Sequence, residues 1–375
     1  MLCRLALLPI LVVVLSPASA PQPHPTSGPT VFALLINNHL LAVRSSTGAV
    51  ISDRVLAPAP VPRPLAFRGY YLALSKDRES LYALVLGQPQ ARDYLVVVDV
   101  ASTRVERWYA LARGIIFLSV AVGPVSGRIY LFGNRAGDVI VTVLDPRTGS
   151  ALSTRIVRRA RGVNWRIYRG LVWSNERELF INYWRGGGRG IDAVSLPGAR
   201  LHGCRAAQGV GCVWPEGLNI EQYGNRLVVA SQTSVDVWLE LGSSGKVHER
   251  LRLHTPPFLH PGDWDIDRVS GKLYQVGPCA YGGGLAVLDM NTGSSRLLAP
   301  FGTPGMGQPV TDRNDHTVCG ERISAGSQSL VAIGKTEAVW PVLQHAAILL
   351  IMNGRTGKVL HRVRMSTDPM DLIAS

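Results

Sequence analysis

The sequence predicts an all-β fold, a seven-bladed β-propeller closed by pairing of the C-terminal strand with the N-terminal blade. Three observations carry this. A Thr-Gly turn recurs at Thr47-Gly48, Thr148-Gly149, Thr292-Gly293 and Thr356-Gly357, with degenerate forms at Thr103-Arg104, Pro197-Gly198 and Ser244-Gly245. Successive turns lie about 45 to 64 residues apart, near the period of a propeller blade. A second marker keeps the same phase: Leu81-Tyr82, Ile129-Tyr130, Leu179-Phe180, Leu227-Val228, Leu273-Tyr274 and Leu330-Val331. The third is an Asp that ends an apolar run just before the turn, at Asp99, Asp145 and Asp289. An Asp there can bond the turn N–H groups while Gly takes the left-handed position.

The stretch from His260 to Pro300 shows one unit in full. An alternating run, Asp263–Asp267, is followed by three apolar runs, Lys272–Val276, Leu285–Asp289 and Ser295–Ala299. Val269-Ser270-Gly271, Gly282-Gly283-Gly284 and Asn291-Thr292-Gly293 separate them. Four short strands joined by Gly-containing turns make one antiparallel sheet, with strands A to D in chain order. The units are Val31–Leu56, Gly69–Leu111, Phe117–Val157, Tyr168–Leu201, Val213–Leu253, Asp263–Leu298 and Val318–Met365. The first lacks an A strand, and Thr367–Ser375 reads as an A strand with no unit after it. Pairing the two removes the open edges of the ring.

Residues 1–20 read as a signal peptide: Arg4, then the apolar Leu5–Leu15, then Ala18-Ser19-Ala20 as the cleavage site. Residues 21–30 form a Pro-rich lead-in, and 31–375 the propeller. The expected location is secreted, periplasmic or cell-surface, with no membrane span after cleavage and a monomeric state. The net charge is +13, with Lys only at 76, 246, 272, 335 and 358. The arginines are scattered over strand ends and turns rather than clustered with stacking aromatics, so no nucleic-acid partner is expected. Four cysteines remain after cleavage, an even number that favours disulfides in an exported chain. Cys204 and Cys212 flank a Gly-rich loop and suit a local bridge; Cys279 and Cys319 pair by elimination.

Most catalytic signatures are absent. There is no G-x-S-x-G and no H-E-x-x-H, and Gly242–Lys246 reads as a hairpin turn rather than a phosphate loop. Geometry supplies better candidates, because inner A strands line the central channel and the loops leading into them form one rim. His260, Asp263, Trp264 and Asp265 lie at the sixth A strand. Trp214 and Glu216 hold the matching approach to the fifth, Asn164, Trp165 and Arg166 the fourth, and Asp368 and Asp371 the closing one. This mix of ionisable, amide and aromatic groups fits a ligand pocket. Carboxylates at Glu216, Asp263 and Asp265 could hold Ca²⁺, which takes several oxygen ligands. The competing reading has each carboxylate capping a turn or pairing with an arginine.

The repeated pattern of apolar strand, Gly-x-[Leu/Ile]-Tyr, apolar strand and Asp-x-x-Thr-Gly resembles the YVTN-type seven-bladed propellers of exported bacterial proteins. It is also similar to the heavy subunit of quinone-dependent amine dehydrogenases. The residues concerned are turn and core positions, so the resemblance implies fold rather than chemistry. The first functional expectation is a module that binds a protein, small molecule or glycan. The alternatives are a channel-mouth enzyme, a metal-dependent lactonase-like hydrolase or lyase, and the propeller subunit of an amine-dehydrogenase-like redox complex.

Overall fold

The computed structural model describes residues 29–56, 71–87, 92–159, 165–185, 188–196, 200–202, 220–224, 226–229, 235–241, 247–254, 263–276, 284–300, 316–326, 330–339, 344–367 and 369–375. Among them every regular element is a strand and none is a helix. The strands form seven four-stranded sheets, numbered here 1 to 7 in chain order. Within each sheet the strands run antiparallel, each beside its sequence neighbour, except that the innermost strand of sheet 1 is the last of the chain.

The innermost strands are Pro369–Ala374, Leu72–Leu74, Ile116–Val122, Trp165–Val172, Ile220–Tyr223, Trp264–Asp267 and His316–Gly326, for sheets 1 to 7 respectively. Each lies beside the innermost strand of the next sheet, and Pro369–Ala374 touches both His316–Gly326 and Leu72–Leu74. The arrangement is therefore a closed β-propeller. The closing strand is held by its register with Thr30–Leu35: Val31 faces Ala374, Phe32 faces Ile373 and Ala33 faces Leu372. The Ser375 N–H donates to the Thr30 carbonyl at 2.9 Å.

The strand pattern follows from radial position. Middle strands such as Tyr94–Asp99 and Asp138–Leu144 are continuous apolar runs, and nearly all their residues are buried. Both faces of each sheet are covered by neighbouring sheets, which favours such runs over alternation. Outer strands such as Val50–Val55 and Ala151–Arg158 are mostly exposed and carry the charged residues. Apolar clusters form between adjacent sheets. One joins Tyr130 and Phe132 of sheet 3 to Leu179 and Ile181 of sheet 4; another joins Tyr274 and Val287 of sheet 6 to Ile333 and Leu350 of sheet 7.

The turn before each outer strand follows the chemistry of its sequence. Asp145 Oδ1 accepts the N–H groups of Arg147 and Thr148, both at 2.9 Å, and Asp289 Oδ1 accepts those of Asn291 and Thr292. Asn353 does the same in sheet 7. Gly149 sits at φ +69°, and a Cβ there would also strike the Tyr109 ring of the preceding sheet at 2.2 Å. In sheet 2 Thr103 takes a left-handed conformation, φ 56°, in the corresponding turn.

Because the last strand completes the first sheet, removing residues 368–375 should strip one edge of that sheet and open the ring. Thermal unfolding followed by circular dichroism is expected to show a fall of roughly 10 °C or more, or loss of a cooperative transition. An unchanged transition would mean that closure contributes little.

Candidate functional site

An innermost strand is paired on one side only, so its other edge presents N–H groups that no ladder satisfies. At most junctions the preceding sheet supplies the acceptor. Asp371 Oδ2, in sheet 1, accepts the N–H groups of Tyr71 and Leu72 at 2.7 and 2.8 Å. Asp93 Oδ2, in sheet 2, accepts from Phe117 at 3.3 Å. Ser119 Oγ, in sheet 3, accepts from Gly170 at 3.1 Å. Asp263 and Asp265, in sheet 6, accept from Ile323 at 3.4 Å and Ala325 at 2.8 Å. Ser324 Oγ, in sheet 7, accepts from Ala374 and returns the chain of contacts to sheet 1.

The junctions from sheet 4 to sheet 6 are built differently. Arg169, on the inner strand of sheet 4, pairs with Glu221 Oε1, on the inner strand of sheet 5. Arg268, in the turn leaving the inner strand of sheet 6, reaches Glu221 Oε2 at 2.6 Å. Glu221 is 3% exposed. Burial pushes its carboxyl upward, but Arg169 and Arg268 outweigh this and hold it below the usual glutamate value. Asp265 stands in the same cluster. Burial and the negative charge of Glu221 push its carboxyl up to about 7, against the pull of Arg169 and of the Ala325 and Ile266 N–H groups. The side chain is half-buried.

Register shows how unusual these two carboxylates are. Opposite the second residue of the Leu-Tyr marker stand Ala73, Ala121 and Leu171 in sheets 2, 3 and 4, and Ile373 holds the matching place in sheet 1. In sheets 5 and 6 the same place is taken by Glu221, facing Val228, and Asp265, facing Tyr274. Sequence reasoning missed Arg169, Glu221 and Arg268. Aligning the A strands on the marker would have exposed Glu221, beside Asp265, as a charged residue in a column otherwise of Ala, Leu and Ile.

The residues expected from sequence fall out as follows. Asp263, Asp265 and Asp371 lie on the inner strands or at their leading ends, where their oxygens take backbone N–H groups of the next sheet. Trp264 is 1% exposed and packs with Val228, Leu273 and Leu288 between sheets 5 and 6. Trp165 and Arg166 open the inner strand of sheet 4, opposite Arg185 and Trp184. Asn164, Trp214, Glu216, His260 and Asp368 lie outside the described residues, as do Cys204, Cys212 and Cys279. Cys319 lies on the inner strand of sheet 7 opposite Thr336. Among the described residues no three His, Cys, Asp or Glu side chains gather as a metal site. Asp263 and Asp265 already accept N–H groups, and Arg169 and Arg268 stand in the same cluster as Asp265. The described part of the proposed Ca²⁺ set therefore fits a cation poorly.

The comparisons with solved structures agree on the fold. The chain is similar to a proposed 6-phosphogluconolactonase from Bacteroides fragilis, with 12% identity, 94% of this chain and 100% of that one covered, and a TM-score of 0.59. It is also similar to a protein from Lactobacillus plantarum, with 11% identity, 93% and 99% covered, and a TM-score of 0.58. Hydrazine synthase of Kuenenia stuttgartiensis matches with 12% identity, 84% and 91% covered, and a TM-score of 0.52. No protein-family model and no curated protein sequence matches the chain. At such identities the likeness defines the class, a β-propeller, and leaves the chemistry to the site.

Two predictions follow from the junctions. Replacing Asp371 by Ala removes the acceptor of two buried N–H groups, so Asp371→Ala should cost about 2–4 kcal/mol in urea unfolding. Asp371→Asn, which keeps one acceptor oxygen, should recover part of it.

Asp265 should give stability a pH dependence. Its folded pKa is raised from 3.8 to about 7, so the fold binds its proton more tightly than the unfolded chain does. That contribution is complete below pH 4 and is lost as pH rises through 7. The difference in melting temperature between Asp265→Asn and wild type should therefore shift in favour of the variant from pH 4 to pH 8. A constant difference would remove Asp265 as the titrating group.

Proposed function

We propose that the chain is an exported propeller of seven blades that binds a small polar ligand, a glycan or similar molecule, in its central channel. Seven four-stranded sheets whose innermost strands follow one another round the ring support the blade count. Export rests on the N-terminal Arg4–Ala20 pattern. The observation that carries the binding reading is the replacement of Ala and Leu by Glu221 and Asp265 at one register position, with Arg169 and Arg268 beside them. A scaffold needs only small or apolar residues there, as sheets 1 to 4 demonstrate. Fixed charges on a concave wall are what orient a polar ligand. Arg169, Glu221 and Asp265 lie within their inner strands, and Arg268 in the turn that follows Trp264–Asp267.

A second reading, hydrolysis, is favoured by Asp265. A carboxyl near pH 7 suits a general acid or base, and the fold neighbours include proposed 6-phosphogluconolactonases. The two readings part on turnover. Calorimetric titration with cellobiose, maltose and chitobiose is expected to find a saturable ligand, weakened at least tenfold in a Glu221→Gln, Asp265→Asn double variant that still unfolds cooperatively. Failure of all three sugars to bind would sink the glycan reading. Hydrolysis of glucono-δ-lactone that rises with an apparent pKa near 7 and vanishes in Asp265→Asn would establish the enzyme instead.

A further inference from the structure

The junction between sheets 6 and 7 lacks a side chain that sheets 1, 2, 3, 4 and 6 carry at the matching place. The residue that follows Arg44, Asp99, Asp145, Ser195 and Asp289, at or just past the end of the third strand, is Ser45, Val100, Pro146, Leu196 and Met290 in sheets 1, 2, 3, 4 and 6. The equivalence is set by backbone bonds: Asp99, Asp145, Asp289 and Asn353 each donate an N–H to the carbonyl five residues on. Leu196 and Met290 each pack into the apolar cluster shared with the preceding sheet. In sheet 7 the residue is Gly354. Gly354 is not among the residues held at positive φ, so no backbone requirement for glycine appears there.

Where that side chain is missing, a groove of about 420 Å³ opens between the two sheets, lined among others by Ser270, Lys272, Asp289, Arg296, Gly354 and Arg355. Arg296 is anchored at it by an Nη2–H bond of 2.7 Å to the Arg355 carbonyl, across the junction. Lys272 Nζ pairs with Asp289 Oδ2, and Asp289 Oδ1 accepts the N–H groups of Asn291 and Thr292. The wall therefore carries three cations and one committed carboxylate, which leaves a positive field. Ser270 gives its hydroxyl hydrogen to Asp267 at 2.6 Å, which leaves its oxygen as an acceptor; Ser294 and Ser295 add two more hydroxyls to the wall.

We infer that this groove is a second binding site, separate from the channel, for a small polyhydroxylated anion such as a sugar acid. The arginine fork of Arg296, with Arg355 and Lys272, takes the carboxylate. The serines meet the sugar hydroxyls. A site whose wall carries more positive than negative charge favours an anion over its neutral analogue, which gains nothing from that field.

Calorimetry at low ionic strength tests this with D-glucuronate, D-glucose and inorganic phosphate. D-Glucuronate should bind one to one, D-glucose should not bind detectably, and phosphate should bind at least tenfold more weakly than D-glucuronate. Arg296→Gln, at an exposed position, should weaken glucuronate at least tenfold. Gly354→Leu, which restores the side chain found in sheet 4, should abolish binding while thermal unfolding stays cooperative. The inference is overturned if glucuronate fails to bind, or if glucose binds as well. Phosphate binding as tightly as glucuronate would also overturn it, by reducing the groove to a bare charged patch. So would an unchanged affinity in either folded variant.

Discussion

The free inner edge of each sheet is the constraint on which this ring depends. A four-stranded sheet satisfies its own backbone everywhere except at its outermost and innermost strands. Water reaches the outer one. The inner one is crowded against its neighbours, where an unmet N–H group costs about 1–3 kcal/mol. Side chains of the preceding sheet meet this need at most junctions: Asp371, Asp93, Ser119, Asp263 with Asp265, and Ser324. Apolar clusters between the sheets supply most of the burial, but they are not directional. The polar contacts fix how far each sheet is turned and displaced against the next.

This arrangement places scaffold and site on the same strands. Inner-strand carboxylates that would catch the eye as ligands are acceptors for the neighbouring sheet. Between sheets 4 and 6 a charged network, Arg169–Glu221–Arg268, ties the inner strands together. A buried ion pair is weak evidence of added stability, because desolvating its members offsets much of their attraction. At the same register position sheets 1 to 4 carry Ile373, Ala73, Ala121 and Leu171. Gly354 is the converse departure, a site made by omission rather than by addition.

The outer turns repeat the same theme at larger radius. Tyr109 donates to the carbonyls of Pro146 and Arg147 in the next sheet, His361 meets the Ser46 carbonyl, and Arg296 meets that of Arg355. Arg158 adds an ion pair to the buried Asp192, whose carboxyl is raised by burial in spite of that arginine. Sheets 2 and 3, 3 and 4, 6 and 7, and 7 and 1 are thus gripped near the axis and again farther out, with the apolar layer between.

The repeat was legible in the sequence because it is local. Thr-Gly turns, the Asp or Asn that caps them and the apolar runs each depend on a few adjacent residues. Lys272–Val276, for example, stands as the sequence reads it. Closure by the last strand was legible too, since a unit short of one strand and a tail holding one strand complete each other. The roles of the polar residues were not. Asp263, Asp265 and Asp371 look alike in the sequence whether they face a ligand or a backbone N–H some sixty or three hundred positions away. Trp264 looks like a rim aromatic and lies in the core. Glu221, Arg169 and Arg268 come from three units and meet only because consecutive inner strands are laid side by side. Turn and strand propensities act along the chain and can be read there; which sheet satisfies which edge is settled by packing around the axis.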